Sequence, residues 1–472
     1  MRLVDKSNPI EKINKLPIVA VLIAGSFLAI LNQTLLATAI PPIMKDLDLT
    51  ENTAQWLTTI FMLVNGIMVP ITAFLIETFT TRRLFMFAMS TFAFGTLICA
   101  LSPNFPLLMT GRVVQAAGAG IMMPLMMTIF LLIFPIERRG TAMGMVGLVI
   151  SFAPAIGPPL AGWLVEIFPW RSLFYIILPF ALIDLIFAYF LMKNITTRTF
   201  PKVDVLSIIL SSIGFGGLLY GFSSAGNFGW SSRMVLIALI MGSLSLTVFI
   251  LRQLKLKQPV LEFRVFKNKI FTITTIIGMI AFMGLIAAET ILPIYMQKMA
   301  GFSALDSGLV ILPGALIMGF LSPVIGREFD RVGARWLVII GLLMLTVTSY
   351  LYTNLTETTS LSYLTIVFTI RMIGLSMIMM PATTAGLNQL PNRLIPHGTA
   401  MNNTMRMVAA SIGTGVLITI MTGATPDIGE QEDMNRLIQG VNIAFYVVTA
   451  LSALALIMAF QIKGQQARKT TS

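Results

Sequence analysis

The chain has 472 residues, 56% of them hydrophobic and only 11% charged, with a formal net charge of +12. A soluble domain carries about 25% charged residues, so this composition excludes an ordinary soluble enzyme and indicates a protein of the bilayer. Cys99 is the only cysteine and His397 the only histidine, which rules out an intrachain disulfide and argues against a histidine metal site.

Apolar runs long enough to cross about 30 Å of hydrocarbon recur from end to end, and fourteen spans are expected. The first, 16–39, follows a basic segment with Arg2, Lys6, Lys12 and Lys15. Ala37-Thr38-Ala39 is like a signal-peptidase site, but the run from Leu16 is too long for a signal core, so an uncleaved span is expected. Spans at 54–76, 83–102 and 106–134 come next, the last with Arg112 and Gln115 inside it.

Span five, 140–166, contains Gly144, Gly147, Ser151, Pro154, Pro158 and Ala161 at spacings of three and four. That spacing makes one helical stripe of small residues and prolines. Small residues let membrane helices approach closely, and proline bends them. The stripe suits a static contact or an interface that parts and reseals.

Span six, 172–192, carries Asp184, and span nine, 270–296, carries Glu289. An acid within a span is expensive to insert, at about 3 kcal/mol, and tends to face a polar cavity or a partner. Either acid could carry a proton, or form a static ion pair with Arg112, Arg371 or the other acid. Spans at 204–223 and 234–252 and a basic stretch, 252–269, lie between these two. The rest fall at 306–326, 336–354, 360–388, 400–423 and 441–462. Arg371 and a Met-Met-Pro in span twelve echo Arg112 and Met-Met-Pro in span four, which suits two parallel six-helix repeats.

With the N-terminus in the cytoplasm, the inner segments hold 24 Lys and Arg and the outer loops five, with Arg112, Arg371 and Arg406 inside spans. This asymmetry places both termini in the cytoplasm. The positive charge is thus a topology signal, and no nucleic-acid partner is expected. No phosphate-binding Gly-x-x-x-x-Gly-Lys-Ser/Thr loop occurs, so ATP is not the expected energy source. No cofactor or metal is expected, and no clustered catalytic constellation suggests a membrane enzyme.

The stretch "GLVISFAPAIGPPLAG" resembles the antiporter motif of the major facilitator superfamily, through Gly147, Pro154, Gly157, Pro158 and Gly162, with Ala161 in place of a glycine. "TAMNNTMRMVAASIGTG", "SALDSGLVILPGAL" and "WRSLFYIILP" are also similar to the fourteen-span drug:proton antiporters of the EmrB/QacA type. The resemblance covers the whole chain and is nearest to lincomycin-resistance and multidrug exporters of Gram-positive bacteria. It implies an all-α major facilitator fold with two six-helix bundles, 1–200 and 257–472, and two inserted helices in 201–256.

The family's inner loop motif is degraded in its first copy, where Glu77, Arg82 and Arg83 fall in the matching region. It is better kept in the second, with Asp330, Arg331, Gly333 and Arg335. An acid and arginines at a helix end can pair across the inner face as a latch. The resemblance ties Arg112 to proton transfer, a role for which the residues themselves also offer Glu289 and Asp184. Relatives often have an aspartate in span one where this chain has Asn32, which cannot carry a proton. Asn32 and Gln115 are candidates for substrate contact or helix packing. The expectation is a monomeric, proton-driven exporter of small amphipathic drugs in a bacterial cell membrane. The alternative is a gradient-driven exporter of an endogenous solute or lipid.

Overall fold

A computed structural model describes residues 14–196, 203–423 and 430–462. Among them are fourteen α-helices long and apolar enough to span a membrane. They are α1 (Lys15–Leu47), α2 (Glu51–Thr78), α3 (Thr81–Leu101), α4 (Phe105–Ile133), α5 (Arg139–Ile167), α6 (Ser172–Leu191) and α7 (Val205–Phe228). Then follow α8 (Arg233–Lys255), α9 (Lys269–Lys298), α10 (Ala304–Val332), α11 (Ala334–Leu351), α12 (Leu361–Leu387), α13 (Ile395–Gly423) and α14 (Glu430–Ala459).

Polar side chains set several helix starts. Thr50, Asn104 and Asn268 each accept a first-turn N–H, and Ser303 and Asp306 form a reciprocal capping box at α10. The joint between α10 and α11 is the single residue Gly333, at φ 79°, in the left-handed region that glycine enters without steric cost.

Helix neighbours repeat with an offset of eight. In the first six helices α3 packs on α4, α2 on α4, α1 on α5 and α3 on α6. In the last six, α11 packs on α12, α10 on α12, α9 on α13 and α11 on α14. The chain is therefore built from two equivalent six-helix halves. The inserted pair α7 and α8 pack closely on each other, where Gly217 faces Gly242. Helix α7 also touches both halves, α2 on one side and α13 on the other. The N-terminus of α7 is tied to α8 by Arg252, which donates to Asp204 at 2.9 and 3.1 Å.

The broad belt of exposed apolar residues, such as Phe187, Phe190, Ile237 and Ile240, is what a bilayer-facing surface requires. The buried core runs through both halves and includes Met126, Met127, Met379 and Met380.

Candidate functional site

The halves meet through α5 and α10 and through α2 and α13. The α5 stripe explains the first contact. A methyl added at Gly144 would stand 2.6 Å from the Ser322 carbonyl oxygen, and one at Gly147 would stand 2.8 Å from Ser322 Oγ. Gly140 and Gly326 face each other's backbone in the same way. Gly319 lies against the ring of Phe152, which also packs edge-on against Phe320. Side chains at these glycines would hold the two helices apart.

The motif glycines that lie off the stripe face another partner. Gly157 faces Thr34 of α1, within the same half, and Thr34 Oγ1 reaches the Ala153 carbonyl at 3.4 Å. Gly162 lies in looser contact with Thr38. Pro154, Pro158 and Pro159 fall inside α5, where each removes a backbone donor. Thus Gly144 and Gly147 serve the joint between halves, and Gly157 serves packing inside one half. Gly157 lies off the stripe, one residue and so about 100° around the helix from Pro158.

At the α5 N-terminus the contact becomes polar. Asp330 accepts the N–H of Gly140 at 2.7 Å, the N–H of Thr141 at 2.8 Å and its hydroxyl at 2.6 Å. The carboxylate therefore caps a helix of the other half, where the helix dipole favours negative charge. Nearby, Arg139 donates to Asn388 and Asn392 at 3.0 and 3.4 Å. Thr128 and Thr399 share a hydrogen bond of 2.7 Å.

Glu77 also crosses the halves, but toward His397, whose Nε2 lies 3.0 Å from Glu77 Oε1. His397 Nδ1 accepts the backbone N–H of Glu262 at 3.3 Å, which leaves the ring proton on Nε2 to donate to Glu77. One ring thus joins α2, α13 and the segment before α9. The histidine is a joint between elements.

The arginines of the loop motifs do not reach across. Arg331 pairs with Glu328 of its own helix at 2.9 Å, and Arg335 lies over the Trp336 ring. Arg82 lies over Tyr189 and Arg83 is exposed. The contacts that cross the halves come instead from Asp330 on the N-terminus of α5, from Glu77 on His397 and from Arg139 on Asn388 and Asn392. Gly333 contributes the turn described above.

The buried arginines are held by neutral partners. Arg112 donates to the Leu57 carbonyl at 3.2 Å and to Gln115 at 2.7 Å, and lies 4.2 Å from the Phe61 ring centre. Gln115 in turn donates to Thr96 at 2.7 Å, so both ends of its amide are engaged within the first half. Arg371, eight helices along the repeat, donates to Ser349 and to the Gly284 carbonyl, both at 2.7 Å. Arg406 of α13, to which sequence reasoning gave no role, donates to the Met379 carbonyl and to Thr383. Its position within an apolar span was the available signal.

Neither membrane acid forms an ion pair among the described residues. Asp184 is buried beside α1 and α3. A methyl at Gly25 would stand 3.0 Å from its Oδ2 and 2.9 Å from Phe85 and Met89. That oxygen has no hydrogen-bond partner among the described residues. Glu289 is partly exposed. It stands eleven residues after Gly278, about three turns along one face of α9. Gly278 faces Arg406, with a methyl there 3.7 Å from Nε, so Glu289 shares the α9 face that looks toward α13. Asn32 is buried, and its amide nitrogen lacks a partner among the described residues. No cluster of three or more potential metal ligands occurs among the described residues.

The family model described as Major Facilitator Superfamily matches residues 22–414. The MFS-type transporter YcnB of Bacillus subtilis is 57% identical over 96% of both chains. The lincomycin resistance protein LmrB of Listeria monocytogenes is 42% identical over 96% of this chain and 98% of its own. Among solved structures, the human organic anion transporter MFSD10 aligns at a TM-score of 0.68 and 14% identity, covering 94% of this chain and 99% of that one.

Proposed function

The chain belongs to the major facilitator superfamily, and on that premise we propose that it is a proton-driven exporter of small amphipathic drugs. The observation that carries the reading is Glu289, a partly exposed acid on the α9 face toward α13, within the spanning helices and without an ion-pair partner among the described residues. The similarity to a protein named for lincomycin resistance supports the choice of drugs as substrates.

In this reading the end closed by Asp330, Glu77 and His397 faces the cytoplasm, in agreement with the excess of Lys and Arg in those loops. The closed seam defines the outward-facing state. Proton binding at Glu289 removes its charge and favours return to the inward-facing state, where release of the proton and binding of drug reset the cycle. Alternating access then consists of parting and resealing the Gly144–Ser322 seam as one half rocks on the other. Asp184 is a second proton site within the first half. Arg112 holds the α2, α3 and α4 junction through which motion of that half is transmitted.

One proton crossing 100 mV releases about 2.3 kcal/mol, and each pH unit adds about 1.4. For a neutral drug exchanged with one proton, the sum sustains a gradient of about five hundredfold. Dye transport into energised inverted vesicles tests the function. Accumulation that an uncoupler abolishes supports it, and accumulation indifferent to the uncoupler contradicts it.

A further inference from the structure

Away from the seam between the halves, the first half carries a groove of about 420 Å³ that the transport cycle above does not use. Its lining is Thr80, Arg82, Arg83, Met86, Tyr189 and Asn194, at the start of α3 and the end of α6. The Arg82 guanidinium lies 4.7 Å from the centre of the Tyr189 ring, and the Arg82 backbone N–H donates to Asn194 Oδ1 at 3.4 Å. Neither arginine forms an ion pair among the described residues. The groove therefore presents two positive charges without an acid among its described lining residues.

Its surroundings are apolar on one side. Phe87 of α3 and Phe187, Tyr189 and Phe190 of α6 are all more than half exposed, as a hydrocarbon-facing surface is. A tyrosine at this border has its ring in the apolar layer and its hydroxyl toward water, the usual interfacial placement. Guanidinium groups match phosphate oxygens in both charge and geometry. A ligand that meets both features joins a phosphate to long apolar chains.

We propose that this groove binds the phosphodiester headgroup of an anionic glycerophospholipid, with the acyl chains lying along the exposed face of α6. Arg82 and Arg83 hold the phosphate, Asn194 and Thr80 border the headgroup, and Tyr189 forms the wall between headgroup and acyl region. The lipid would thereby anchor the α3–α6 side of the first half to the membrane surface. This assignment does not depend on the substrate or the energy source of transport.

The test is binding of fluorescent phosphatidylglycerol to the purified full-length protein in a neutral detergent, with phosphatidylcholine and inorganic phosphate as competitors. Unlabelled phosphatidylglycerol should compete, while phosphatidylcholine and free phosphate should not. Each basic residue near an anionic lipid surface is worth about fivefold in dissociation constant, so Arg82→Gln with Arg83→Gln should weaken binding about thirtyfold. Lys257→Gln with Arg393→Gln, which removes two exposed charges elsewhere, should change it by less than about twofold. Tyr189→Leu keeps both arginines and should weaken binding about threefold through loss of the cation–π contact. Equal weakening by the two charge-removing pairs would overturn the site in favour of general surface attraction. Full competition by free phosphate would make it a site for a soluble anion. If the arginine pair fails to fold, unchanged binding by Tyr189→Leu would overturn the proposal on its own.

Discussion

Asp330 at the end of α10 accepts the backbone N–H of Gly140 at the start of α5, at 2.7 Å, and so closes one half of the molecule onto the other. Two further bonds from Thr141 complete the cap. Asp330→Asn removes the charge that the helix end favours and one acceptor oxygen, a loss of about 1 kcal/mol. The unsealed state should gain about fivefold in population relative to the sealed one. A Ser322→Cys reporter in a Cys99→Ala background should then react faster with a thiol reagent applied from the sealed side. Glu77→Gln should have the smaller effect, since Glu77 reaches across through His397 alone. Equal rates in the two variants would remove Asp330 from the closure.

Gly144→Val and Gly157→Val should fail differently. The first pushes a side chain into the Ser322 backbone across the halves, and the second pushes one into Thr34 of α1 within a half. Overpacking costs about 1–3 kcal/mol in either case. For Gly144→Val that cost falls on the sealed state, so transport should drop at least about fivefold while the melting temperature holds. For Gly157→Val it should appear as a lower melting temperature. Loss of stability by both, with transport falling only in proportion, would reduce the seam to ordinary packing.

Asp204, just outside α7, is held below the usual carboxylate range by the Arg252 side chain, with further bonds from Ser207. Its stabilising contribution is fully present above the ordinary aspartate pKa and disappears as pH falls through the lowered folded-state value. The pair is partly open to water, so the effect is small and weakens with salt. Wild type should therefore melt slightly above Asp204→Asn at pH 7, and the difference should close on acidification toward pH 3. A difference that widens toward low pH would contradict the pairing.

Asp184→Asn should be well tolerated in folding. No arginine pairs with Asp184 among the described residues, so its replacement leaves no partner charge stranded. Expression and melting temperature should match wild type, while pH-driven transport falls if the two acids share a proton route. A loss of stability of about 3 kcal/mol or more would indicate a charged partner in the membrane.

Much of this architecture was legible in the amino-acid order because hydrocarbon imposes a simple rule on it. Span three was expected at 83–102 and is observed at Thr81–Leu101. Span fourteen was expected from 441, yet α14 begins at Glu430, because the polar turns Glu430–Arg436 continue the helix where hydropathy gives no signal. Helix α1 likewise continues past the expected end at 39, through Pro41 and Pro42, to Leu47. The stripe on α5 identified a close approach, but that its partner is α10, while Gly157 off the stripe meets α1, depends on how the helices are set together. Asp330 was legible as the acid of the second loop motif, whereas its partners Gly140 and Thr141 were not, since backbone donors leave no residue-type signature. The links of His397 to Glu77 and of Arg139 to Asn388 join residues hundreds of positions apart and had no local signal.

The central claim is that Glu289 couples proton movement to export. Glutamine keeps the shape and hydrogen-bonding reach of glutamate but cannot carry the proton. The decisive measurement is drug uptake into inverted vesicles under an imposed pH difference, paired with equilibrium drug binding in detergent. Glu289→Gln should bind drug within about threefold of wild type and still exchange drug for drug, since only the titratable group is lost. It should fail to build a drug gradient from the pH difference. Full pH-driven accumulation by Glu289→Gln, at wild-type expression, would contradict the account and move coupling to another group.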